Sequence, residues 1–168
     1  ALPKGFRDLF HDKQSTVRLS ETYLLGVSFG GPAVLLAAHD KRVTKVLAMC
    51  PVIDWKKLGP EEPLSFIYKE FSEGFAMGYR GKKQYYDKLG KTPFYNPIDH
   101  MRSIPGEKVL IIQAKDDRVV LFRPAVTFST QTGAILKLVA RGGHLGSDVL
   151  MTRFEKEWKA WFRPPKAK

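Results

Sequence analysis

The chain has 168 residues, 43% of them hydrophobic and 12% aromatic, which is enough for one domain with its own core and too short for two ordinary ones. Its 28 Lys and Arg against 17 Asp and Glu give a net charge of +11, but the basic residues are scattered (Lys41 and Arg42, Lys56 and Lys57, Arg80 with Lys82 and Lys83) and no recognition motif accompanies them, so no nucleic-acid partner is expected. Cys50 is the single cysteine, which excludes an internal disulfide and fits a reducing, cytoplasmic compartment, and the longest nearly apolar run, Tyr23 to Ala38, is shorter than the roughly 20 residues a membrane span needs.

In chain order, residues 3–13 place Phe6, Leu9 and Phe10 on one face with Lys4, Arg7, Asp8 and Asp12 elsewhere, which predicts a short amphipathic helix. A polar connection from Lys13 to Glu21 leads to an apolar strand, Tyr23–Val27. Gly26-Val27-Ser28-Phe29-Gly30-Gly31 then sets Gly-x-Ser-x-Gly between that strand and a helix over Phe29–His39, the pattern of a nucleophile elbow. Ser28 is expected in a strained conformation at the tip of the turn, where side chains at positions 26 and 30 would collide. The helix start aims its N–H groups, Phe29's among them, at any oxyanion beside Ser28. By itself the pattern does not separate a catalytic turn from one that only packs.

Val43–Met49 reads as a second strand, stopped at Cys50-Pro51 because proline interrupts a ladder. Residues 54–107 differ from the rest. They are aromatic and rich in Gly and Pro, and Ile67, Phe71 and Phe75 recur at four-residue steps, which predicts a helix. This excursion suits a lid over a pocket, and equally a simple cover for the sheet. Lys108–Ala114 is a nearly continuous apolar run of the kind buried on both faces of a parallel sheet. Phe122 to Gln131 follows as a helix, Ala134–Ala140 as a fourth strand, and Gly142–Gly146 as a loop. Ser147 or Asp148 then caps a last helix running to about Phe162. Strands alternating with helices predict the α/β class: one domain over 1–168, a mostly parallel sheet, and helices flanking it.

In such a sheet the C-terminal ends of the strands share one edge, where sites form. Ser28 follows one strand, Asp116 and Asp117 another, and His144 the last, in the Ser, Asp, His order expected of this elbow. A serine hydroxyl needs a base to take its proton, and an imidazole with a pKa of about 6.5 can do so near neutral pH. An aspartate behind the ring holds the useful tautomer and stabilises the cation. His11, His39 and His100, expected on a helix, a helix end and a loop, are weaker candidates.

The elbow, the segment Gln113-Ala114-Lys115-Asp116-Asp117-Arg118-Val119-Val120 and the loop Gly142-Gly143-His144 together resemble the α/β-hydrolase family, in its dienelactone-hydrolase-like and prolyl-oligopeptidase-like branches. Pro51-Val52-Ile53-Asp54-Trp55 and Asn96-Pro97-Ile98 are similar to the peptidase-like branch, less specifically. The resemblance, over about residues 20–162, selects Asp117 over Asp116 as the acid. It implies a C-terminal part of a hydrolase: family members place three or four strands and an oxyanion loop before the elbow, and only 22 residues precede Tyr23 here. The missing second oxyanion donor is worth about 10²–10³ in kcat. The chain opens on Ala1 without a signal-like segment, and a longer parent chain, or a partner chain or second copy covering the elbow strand, is expected.

The leading expectation is a serine hydrolase cleaving carboxylic esters through an acyl-enzyme on Ser28, with Asp117, His144 and the Phe29 N–H completing the site. No metal or organic cofactor is implied. A serine peptidase of the prolyl-oligopeptidase-like type is the alternative within the class. A non-catalytic module that keeps the fold and binds a ligand is the alternative outside it.

Overall fold

The computed structural model describes residues 6–8, 10–16, 20–61, 96–144 and 151–163. The helix expected through Ile67, Phe71 and Phe75, most of the excursion over 54–107, and the capping residues Ser147 and Asp148 lie outside them. At the N-terminal end the expected amphipathic helix is replaced by a hairpin. Strands β1 (Phe6–Asp8) and β2 (Lys13–Ser15) pair antiparallel, with Phe6 opposite Ser15 and Asp8 opposite Lys13. The reason is burial. An amphipathic face holds a short helix together only when it is packed, and Phe10 is 97% exposed at the turn. Asp12 takes the left-handed backbone there, at φ 50°, and pairs with Arg7.

The apolar runs make one parallel sheet in the order β3 (Tyr23–Val27), β4 (Lys45–Met49), β5 (Val109–Ala114) and β6 (Ile135–Val139). Val27 lies beside Met49, Met49 beside Ile112, and Ala114 beside Val139, so all four C-terminal ends reach one edge. Alternation along the strands divides the core into two layers. Val46, Ala48, Val109 and Ile111 meet Leu35 and Ala38 of helix α1 (Gly30–Ala37) and its end, and Ala125 and Phe128 of α2 (Phe122–Thr132). Leu47, Met49, Leu110 and Ile112 face the other way, toward Trp158 and Trp161 of α3 (Glu155–Trp161) and the adjoining Phe154 and Phe162.

β5 is buried at every position, as its nearly continuous apolar sequence predicts, while β3 and β6 border the described sheet and leave Leu25 and Ile135 exposed. The terminal helix is anchored by polar bonds as well as rings: Trp161 Nε1 donates to Val46 O at 3.1 Å, and Lys45 Nζ donates to Trp161 O at 2.6 Å. Expected in one piece to Phe162, that helix is interrupted at Phe154 (φ −104°, ψ 24°) ahead of α3. Among the described residues no helix is long and apolar enough to cross a membrane.

Candidate active site at the C-terminal edge of the sheet

Ser28 stands between β3 and α1 with φ +52°, the left-handed region that costs a non-glycine residue free energy. The surroundings hold it there. Its N–H donates to Met49 O at 2.9 Å, and its carbonyl accepts from Gly31 N at 2.9 Å and Val52 N at 3.2 Å. Phe29 is the N-cap of α1, so its N–H lies at the helix start beside Ser28. Its ring packs on Trp55, centroids 5.4 Å apart.

The glycines divide their tasks differently from the sequence expectation. A Cβ on Gly26 would lie 2.5 Å from Gly30 O and 2.6 Å from Val34 Cγ2, as expected of a tight elbow, but one on Gly30 would meet nothing within 4 Å. The second crowded position is Gly31, where α1 presses against Pro51, with the Pro51 Cα 2.7 Å from an added Cβ. Gly26→Ala is therefore expected to destabilise the fold by about 1–3 kcal/mol, read as a lowered midpoint in thermal or urea denaturation, with Gly30→Ala much milder.

Asp117 follows β5 and is 2% exposed. Its Oδ1 accepts the N–H groups of Val119 at 2.9 Å and Val120 at 2.8 Å. Its Oδ2 faces His144 Nδ1 at 2.9 Å and accepts from Gln113 Nε2 at 3.1 Å. Burial alone would push its pKa up. The hydrogen bonds from His144 and Val120, the charge of His144 and the bond from Val119 outweigh that, leaving Asp117 below its ordinary value of 3.8. Facing an ionised carboxylate, His144 Nδ1 must carry a proton, so Nε2 is the free acceptor, and it lies 2.8 Å from Ser28 Oγ. The loop 117–120 is itself braced from outside, since Gly59 N donates to Val119 O at 2.8 Å and Glu61 N to Arg118 O at 3.0 Å.

The structure thus brings Ser28, Asp117 and His144 into one hydrogen-bonded line, while His11, His39 and His100 stand elsewhere; His39 Nδ1 bonds its own helix at Leu36 O. Asp116, the neighbouring carboxylate, has a different use: its Oδ1 accepts from Gly142 N at 2.9 Å and Gly143 N at 2.8 Å, tying down the loop that carries His144.

Two residues near Asp117 were missed in the sequence reading. Gln113 is wholly buried, and its Oε1 has no hydrogen-bond partner among the described residues. An unpaired buried oxygen of this kind costs about 1–3 kcal/mol. A lone amide ending an otherwise apolar buried strand was the signal for it. Cys50, also buried and at φ +43°, follows β4. One ligand-type atom each of Cys50, Asp117 and His144 lie within 4.8 Å of one another, a donor set in reach of a soft divalent metal. However, Asp117 and His144 already hold each other, and burial, then the charge of Asp117, push the Cys50 thiol up to about 12, so the sulfur keeps its proton.

A parallel sheet covered by helices on both faces, with a strand–Ser–helix turn at the carboxyl edge, is the α/β-hydrolase fold. Solved structures share it. A meta-cleavage product hydrolase from Pseudomonas fluorescens superposes with a TM-score of 0.62 at 18% identity, over 84% of this chain and 64% of that one. The 2-hydroxy-6-oxo-6-phenylhexa-2,4-dienoate hydrolase of a Rhodococcus species gives 0.61 at 16% identity, over 86% and 64%. A Pyrococcus furiosus esterase gives 0.56 at 16%, over 84% and 52%. This chain therefore spans less than two thirds of the length of each of these three proteins. No protein-family model and no curated protein matches the sequence.

Proposed function

We propose that this chain carries the catalytic machinery of a serine hydrolase, with carboxylic esters as its substrate class. The observation that supports this reading is the continuous line from Ser28 Oγ to His144 Nε2 (2.8 Å) and from His144 Nδ1 to Asp117 Oδ2 (2.9 Å). In the first step His144 takes the Ser28 proton as the oxygen attacks the acyl carbon. The Phe29 N–H, at the helix start, stabilises the oxyanion that forms. Collapse expels the alcohol, which receives its proton from His144, and leaves an acyl-Ser28 ester. A water that gives its proton to His144 then releases the acid and restores the hydroxyl. Asp117 remains ionised throughout and stabilises the imidazolium. These steps need no metal or organic group.

The test is labelling by a fluorophosphonate probe, read beside turnover of a panel of p-nitrophenyl esters and aminoacyl amides. The wild-type chain is expected to label and Ser28→Ala to remain unlabelled. Ester turnover well above amide turnover carries the esterase reading, and comparable rates would transfer it to a peptidase. A wild-type chain that neither labels nor turns over any member of the panel would leave a binding module.

A further inference from the structure

We infer that Gln113 is a positioning residue of this site, holding the Asp117 carboxylate by a donated hydrogen bond and thereby setting where the His144 ring titrates. The amide orientation follows from its neighbours. Gln113 nitrogen lies 3.1 Å from Asp117 Oδ2, 3.2 Å from Val120 O and 3.3 Å from Ala114 O, three acceptors around one NH₂ group. The opposite rotamer would set an amide oxygen against a carboxylate and two carbonyls with no proton among them. Only the observed orientation is tenable, and it leaves Oε1 without a hydrogen-bond partner among the described residues. A wholly buried amide that forgoes its own acceptor bond to place a donor on Asp117 is fixed by that carboxylate rather than by packing.

The effect on His144 is electrostatic. Oδ2 is shared between the ring and the amide, at 2.9 and 3.1 Å, so each proton donated by Gln113 offsets part of the negative charge that the imidazolium sees. The other titratable groups facing this pair are few among the described residues. The Cys50 thiol stands at the end of β4, and the Asp116 carboxylate is bonded to Gly142 and Gly143. Arg118, next in the chain, turns away to Glu61 at 2.6 Å. With the amide removed, the carboxylate is more negative toward the ring, the imidazolium is favoured, and the ring pKa rises. More of His144 is then protonated, and useless as a base, at a given pH.

Gln113→Met keeps the length and volume of the side chain and deletes the donor. The His144 ring resonances, followed by NMR as pH is varied in the wild-type and variant chains, are expected to show a higher midpoint in the variant. The acid limb of the pH profile of kcat/KM moves with it. At neutral pH kcat falls by at most the factor that the rise in midpoint sets, about tenfold for a full unit, while KM stays within about twofold. If Gln113→Met does not fold, as judged by its thermal transition, Gln113→Asn withdraws the amide by one methylene and is expected to move the midpoint in the same direction. An unmoved midpoint in whichever of these folds overturns the inference. The kinetic arm rests on the hydrolase reading, whereas the ring titration does not. Failure of the wild-type chain to label ends the former and leaves the role of Gln113 to be decided by NMR.

Discussion

In His144→Ala, ester turnover is expected to fall by about four to six orders of magnitude, almost entirely in kcat. The ring is the only described base within hydrogen-bond distance of Ser28 Oγ, at 2.8 Å, and without it the hydroxyl must attack as a neutral alcohol. The fold should survive. The loop that carries position 144 is tied by its backbone, through Gly142 and Gly143 to Asp116, and that tie does not involve the ring. The cost to stability is confined to Asp117 Oδ2, which loses one donor and keeps the other, Gln113 Nε2. That is worth about 1–3 kcal/mol and is measurable by denaturation. Steady-state kinetics on a p-nitrophenyl ester decides the matter: a fall of less than about tenfold would show that a different group takes the serine proton.

The legibility of the sequence followed the range of the interactions. β4 and β5 could be read because both of their faces are buried, so Val46–Met49 is apolar throughout and Val109–Ala114 is apolar but for Gln113. The convergence of Ser28, Asp117 and His144 could be read because a parallel sheet brings every strand end to one edge, whatever the distance along the chain. The N-terminal hairpin could not. Its periodicity is as good for a helix, and the tie-breaker, that Phe10 finds no core, is a tertiary fact. The crowding at Gly31 was equally hidden, since it comes from Pro51, which follows the neighbouring strand. Asp116 and Asp117 are adjacent and chemically identical. It was the resemblance that selected Asp117, and the turn after β5 supplies the physical reason, pointing one carboxylate at the ring and the other at the loop backbone.

Asp117→Asn changes one atom and is expected to lower kcat by about 10⁴ with little effect on KM. The argument turns on which way the new amide faces. Oδ1 accepts two backbone N–H groups, from Val119 at 2.9 Å and Val120 at 2.8 Å, so the asparagine oxygen must stay on that side. Its NH₂ then occupies the place of Oδ2 and presents protons to His144 Nδ1. The ring responds by carrying its own proton on Nε2, and in that tautomer it cannot accept one from Ser28. Stability carries a second signature. The folded pKa of Asp117 lies below its ordinary value of 3.8, so its ionised form contributes stability above that pH and loses the contribution as pH falls toward the folded value. The wild-type chain should therefore exceed Asp117→Asn in thermal stability at neutral pH, with the gap closing below 3.8. A gap that widens on acidification would mean that the carboxylate is held protonated in the folded chain, and then it could not orient the ring as a base.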